Sequence, residues 1–179
     1  NAGIFTEIEK DETITKPEGI QKHIGDYSID LIGPGQRALR QVDACKAAKV
    51  PIYIKSEPEL GFEAPRLPFI PCLDRWAARA EAMVSCQASG AWVFPYFRPY
   101  FGSSAGEVFK FFWWEPVLEK DKILLDMARR IAGDEAGPHL RAAWKHASDA
   151  IDWSPEQPSY YTGPYYVGPA HPMCVSPAA

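Results

Sequence analysis

Between residues 27 and 114 the chain alternates short apolar runs with amphipathic stretches, and this alternation constrains the fold more than any other feature. "YSIDLI" (27–32), "VPIYIK" (50–55) and "GAWVFPYF" (90–97) are short, apolar and rich in β-branched or aromatic residues, which predicts strands. "GPG" (33–35) breaks the first run, and "QRALRQVDACKAAK" then puts Ala38, Leu39, Val42 and Cys45 on one helical face. "LDRWAARAEAMVSCQ" repeats the pattern with Leu73, Trp76, Ala80, Met83 and Val84, with a cap expected near Asp74, and "GEVFKFFWW" predicts a third, shorter helix. Repeated strand–helix units predict parallel strands joined by right-handed crossovers. "AGIFTEIE" at the start supplies a further strand, separated from the rest by a long polar connection. Three or four such strands do not close an eight-stranded barrel. The pattern therefore fits either a small open sheet or the later part of a (β/α) barrel.

After residue 115 the pattern changes. "EPVLEKDKILLDMARRIAG" and "PHLRAAWKHASDAIDW" are two amphipathic helices, the second aligning Leu140, Trp144, Ala147 and Ile151, and Gly133 separates them. They predict an antiparallel helical hairpin packed on the α/β part. The tail "SPEQPSYYTGPYYVGPAHPMCVSPAA" has too many prolines for sheet or helix and four tyrosines, so it is expected to lie as an extended strap over the body. This divides the chain into an α/β part, 1–115, and a helical extension with its tail, 116–179.

The net charge of −4 gives no basic face for nucleic acid. No apolar run has the roughly 18 residues of a membrane span, and no signal-peptide pattern is read at the start. The chain opens on Asn1 rather than methionine, as expected of a processed product or a piece of a longer chain. Cys45, Cys72, Cys86 and Cys174 are widely spaced without a CxxC pair, which in a chain of this size favours free thiols. His139 and His146 on one helix, and His171 with Cys174, do not complete a metal-ligand set. Neither a metal nor a cofactor is expected, and nucleophile-elbow, P-loop and dinucleotide fingerprints are absent.

In parallel α/β folds, the loops after the strands' C-terminal ends gather on one face and form sites there. Three loops converge on this expectation: "GPGQR" (33–37), "SEPELGFEAPR" (56–66) and "FRPYFGSSAG" (97–106). The first reads as a tight turn whose backbone N–H groups could in principle cradle an anion. The second carries Glu57, Glu59 and Glu63, and a glycosidase needs two carboxylates about 5–10 Å apart. The third brings Tyr96, Arg98 and Tyr100, an arginine among aromatics that suits a carboxylate or a sugar hydroxyl. Six tryptophans and 13% aromatic content fit either a heavy core or a stacking surface for planar or sugar ligands.

"DYSIDLIGPGQRALRQVDACKAAKVPIYIKSE", followed by "PRLPFIPCLDRWAARAEAM", resembles the later barrel strands of bacterial proteins related to family 20 glycoside hydrolases. In that comparison Lys55 fits the end of a Lys-ending strand, Phe62-Glu63 stands where a Trp-Glu pair would, and "SGAWVFPYFRPYFG" fits the final strand and its loop. The likeness covers roughly residues 4 to 115, and "AAWKHASDAIDWSPEQPSYYTGPYYVGPAHPMC" looks like a helical extension of the same proteins. The resemblance implies a partial (β/α)8 TIM-type barrel that binds a saccharide at its C-terminal face. It puts Glu63 on sugar hydroxyls, Trp92, Tyr96 and Trp114 at the pocket walls, and Lys55 at the strand end beside them. The family's Asp-Glu catalytic pair lies on an earlier strand; here Asp-Glu occurs at Asp11-Glu12 and Asp134-Glu135, in neither case at a predicted strand end.

The expected function is accordingly that of a carbohydrate-active protein. As a glycoside hydrolase it would use Glu57, Glu59 and Glu63 for acid/base chemistry, with Lys55, Trp92, Tyr96, Arg98, Tyr100 and Trp114 holding the sugar. Two alternatives remain open. One is a non-catalytic saccharide-binding module. The other is a structural fragment whose sheet edge is completed by another chain or a second copy.

Overall fold

The computed structural model describes residues 2–25, 28–56, 58, 70–93, 103–113 and 119–153. The sheet is built from three short strands, β1 (Ile4–Glu7), β4 (Ile52–Lys55) and β5 (Gly90–Trp92), in the order β1-β4-β5 and all parallel. Ile4 pairs with Ile52 and Glu7 with Lys55; on the other side Tyr53 pairs with Gly90 and Lys55 with Trp92. A separate antiparallel ribbon, β2 (Glu12–Thr15) with β3 (Gln21–Ile24), turns through a single helical turn at Pro17–Gly19.

Helix α1 (Gln36–Ala48) buries Ala38, Val42 and Cys45, one face at i, i+4 and i+7. It ends where Lys49 takes a left-handed conformation (φ 55°) and its N–H returns to the carbonyls of Cys45 and Lys46, a common helix stop. Helix α2 (Leu73–Ser85) buries Leu73, Trp76, Ala77, Ala80 and Met83 on one face. These side chains join Ile52, Ile54, Val42 and Cys45 in a single core, so α1 and α2 cover the same side of the sheet. That is the result expected when consecutive right-handed crossovers step in one direction across a sheet. Helix α3 (Ser104–Phe111) is capped by Ser103, whose hydroxyl accepts the Gly106 N–H at 3.0 Å.

Helix α4 runs from Lys120 to Trp153 with a break at Gly133, where φ 82° and ψ 170° leave the helical region. A Cβ on Gly137 would lie 2.8 Å from the Arg129 Cα. Eight residues of continuous helix would separate these two by about 12 Å, so the chain folds back at Gly133. The returning segment packs on α2. Arg141 grips Asp74 with two hydrogen bonds of 2.9 and 2.7 Å, and the Ser148 hydroxyl accepts the Asp74 N–H at 3.2 Å. Cys72, not Asp74, is the N-cap residue of α2 and offers no side-chain cap. One donor of that helix's first turn is thus satisfied from another helix.

The partial (β/α)8 barrel is not what forms. Residues 28–32, the described part of "YSIDLI", make no strand. Two arginines one turn apart on α2 take up their carbonyls instead. Arg75 donates to Ile29 O (3.0 Å) and Asp30 O (2.6 Å), and Arg79 donates to Ser28 O and Leu31 O. A barrel strand needs those acceptors for its neighbours' N–H groups. Here four successive carbonyls go to guanidinium groups, so the segment is held as an irregular strut across α2. Among the described residues the result is a three-stranded parallel sheet with a two-stranded ribbon and helices.

The strut is anchored a second time through Asp30, whose carboxylate takes the ammonium groups of Lys16 (2.7 Å) and Lys22 from the ribbon. Lys16 also donates to the Ile151 carbonyl at 2.5 Å, at the C-terminal end of α4 where a cation suits the helix dipole. Arg75 reaches Asp152 at 2.6 Å. The ribbon, the strut, α2 and the end of α4 are therefore joined by one charged network beside the apolar core. Cys45 and Cys72 are buried and Cys86 is half-buried, while Cys174 lies outside the described residues.

Candidate functional site

Strand side chains alternate between the two faces of a sheet. Thr6, Ile52 and Ile54 point to the helix side, where the Thr6 hydroxyl donates to the Gln41 side chain of α1. Phe5, Glu7, Tyr53, Lys55, Gly90 and Trp92 therefore share the opposite face. Its aromatic members stay exposed: Phe5 at 56%, Tyr53 at 41% and Trp92 at 40%. Parallel sheets are usually covered on both faces, which makes this combination informative.

The three rings form a built surface. Phe5 and Trp92 come from the two outer strands and meet edge to face, with centroids 4.6 Å apart, so their side chains converge over β4. Tyr53 lies between two glycines. A Cβ on Gly3 would come within 3.0 Å of its Cε2, and a Cβ on Gly90 within 3.0 Å of its Cδ1. The ring spans the gap that the missing side chains leave, an aromatic covering glycines on adjacent strands.

Toward the strands' C-terminal ends this face becomes polar. Lys55 is buried and lies 3.4 Å from the Glu7 carboxylate, which also receives Lys10 at 3.1 Å. Just beyond, Glu9 is almost wholly buried (2% exposed) and accepts the Ser28 N–H at 3.0 Å. Burial pushes its carboxyl pKa up; the positive charges of Arg79 and Lys55 and that hydrogen bond pull the other way. Glu9 belongs to the interior support of this edge, facing protein rather than ligand.

Of the residues expected to hold a saccharide, Lys55 and Trp92 are brought together as register partners on one face. Glu57, Glu59, Glu63, Tyr96, Arg98, Tyr100 and Trp114 lie outside the described residues. The turn at 33–35 does reach the C-terminal end of β1, because the Gly35 N–H donates to Ile8 O at 2.8 Å. It is not an anion cradle. The chain's own Glu12 carboxylate occupies the N-terminus of α1 and accepts the Arg37 N–H at 3.1 Å. A Cβ on Gly35 would stand 2.6 Å from Glu12 Cδ, so a side chain there has to push this carboxylate aside.

Phe5, Glu7 and Tyr53 were missed as site residues: the alternation in "IYIK" puts Tyr53 on the Lys55 side, and Phe5 and Glu7 join that face only through the β1–β4 register. Among the described residues no group of three or more His, Cys, Asp or Glu side chains could hold a metal ion. No described helix is long and apolar enough to cross a membrane. Comparison of the chain with protein-family models, with curated proteins and with solved structures finds no match in any of the three.

Proposed function

We propose that this chain is a carbohydrate-active protein that takes a saccharide on the sheet face that carries Phe5, Tyr53 and Trp92. The observation that carries the reading is the clustering of exposed Phe5, Tyr53 and Trp92 on that face, with the Glu7–Lys55 pair at its edge. A pyranose with equatorial hydroxyls presents C–H faces that pack on aromatic rings, while its hydroxyls need a few placed charges. Exposed rings and a charged pair on one surface support the reading. The hydrolytic form of the reading assigns acid/base work to Glu57, Glu59 and Glu63, on the chain that leaves β4 beside Lys55.

The test is calorimetric titration of cellotriose, chitotriose and xylotriose into the wild type and Trp92→Ala. One trisaccharide is expected to bind the wild type, and Trp92→Ala to weaken it about tenfold, the loss of one aromatic contact of roughly 1.4 kcal/mol. Undiminished binding by Trp92→Ala would sink the surface assignment. Turnover of the matching chromogenic glycoside, lost in Glu63→Gln, adds hydrolysis to binding; binding without turnover leaves a saccharide-binding module. Failure of every saccharide, together with a concentration-dependent dimer on size exclusion, would favour the face as an assembly surface instead.

A further inference from the structure

From the hydrogen bonds behind the aromatic face we infer that Arg79, acting through Ser56, positions Trp92 for the saccharide. This inference rests on the surface reading above. Arg79 is almost completely buried (1% exposed), on the helix side of the sheet and away from any ligand. Its guanidinium is fixed from one side by the carbonyls of Ser28 and Leu31. From the other side it donates to the Ser56 hydroxyl at 3.3 Å. Ser56 is wholly buried and immediately follows β4, and its N–H donates to the Trp92 carbonyl at 3.1 Å.

That last bond extends the β4–β5 ladder by one step beyond the Lys55–Trp92 pair. It holds the end of β5, a strand of three residues. The side chain of Trp92 leaves the same backbone toward the open face and meets Phe5 there. A chain of three contacts thus runs from the strut through Arg79 and Ser56 to the backbone of Trp92, whose ring closes the platform. Hydrogen bonds to charged donors hold geometry more tightly than neutral ones, which suits a guanidinium to this task. Ser56 is also the residue from which the chain continues to Glu57, Glu59 and Glu63. Arg79 touches no ligand in this account and is a positioning residue, as is Ser56.

The discriminating variant is Ser56→Ala, which removes the link while leaving Arg79 its two carbonyls. Two quantities are read on the folded protein: affinity for the trisaccharide that binds the wild type, and the indole 1H–15N resonance of Trp92, assigned by its absence in Trp92→Phe. Ser56→Ala is expected to keep the wild-type fold, weaken binding about fivefold, the worth of one hydrogen bond, and shift the Trp92 indole resonance. Unchanged affinity and an unchanged resonance would overturn the inference, as would lowered stability alone, because a merely structural role moves neither readout. If Ser56→Ala does not fold, Ser56→Cys offers the guanidinium only a weak acceptor of similar bulk and is read in the same way. Loss of binding in Trp92→Ala with none in Ser56→Ala defeats the inference but keeps the surface. Full binding in Trp92→Ala, or no saccharide binding by the wild type, defeats both.

Discussion

Replacing Arg79 with methionine tests the reason that residues 28–31 form a strut rather than a strand. Methionine keeps much of the side-chain volume but none of the donors. The change orphans the buried Ser28 O and the partly buried Leu31 O, and removes the largest positive influence on Glu9. An unsatisfied buried acceptor costs about 1–3 kcal/mol, so the two carbonyls alone predict a loss of about 4 kcal/mol. Domains of this kind have about 5–15 kcal/mol to lose. With a urea dependence of about 2 kcal/mol per molar, the unfolding midpoint should fall by about 2 M. The loss should also depend on pH. Glu9 already has a folded pKa above its ordinary value of 4.5, and without Arg79 it rises further. A raised folded pKa gives stability that is present below the unfolded value and lost as pH rises through the folded one. Arg79→Met should therefore lose more at pH 7 than at pH 4. A loss below about 1 kcal/mol at pH 7 would refute the account, because the penalty for two orphaned acceptors would be missing.

Other substitutions test neighbouring parts of the account. Glu9→Gln should gain on the wild type as pH rises above 4.5, since glutamine keeps an acceptor for the Ser28 N–H without the charge; thermal midpoints differing by the same amount at pH 4 and pH 7 would contradict this. Gly35→Ala should cost about 1–3 kcal/mol from overpacking against Glu12, and little in a Glu12→Ala background. Additive losses in that urea-unfolding cycle would show that the contact is not the cause.

Much of the helical framework was legible in the sequence, because each helix writes its buried face locally. Ala38, Val42 and Cys45, and Leu73, Trp76, Ala80 and Met83, recur at helical spacing whatever they pack against. The reversal at Gly133 was likewise marked by a residue able to adopt positive φ. "YSIDLI" was misread because β-branched content reports what a segment could pair with, not what reaches it first. Its carbonyls go to Arg75 and Arg79, more than forty residues away. The ribbon β2–β3 looked like a polar connection because "ETIT" and "QKHI" show half-polar alternation, which supports a strand only when its partner is known. In the candidate site, Lys55 and Trp92 were named through the resemblance to family 20 glycoside hydrolases, Lys55 at the end of "VPIYIK" and Trp92 as a pocket wall. Tyr53 and Phe5 were not, because an apolar strand residue reads as core until it is known which sheet face the helices leave open.

Binding of a saccharide to the sheet face that carries Phe5, Tyr53 and Trp92 underlies the proposed function. Its most direct test is a heteronuclear NMR titration of the wild type with the trisaccharide series, following the backbone amides of β1, β4 and β5 and the Trp92 indole. Saturable shifts are expected at Phe5, Tyr53, Lys55 and Trp92, with Val42 and Ala77 on the helix side unmoved. Shifts centred elsewhere, or none with any sugar in the series, would contradict it.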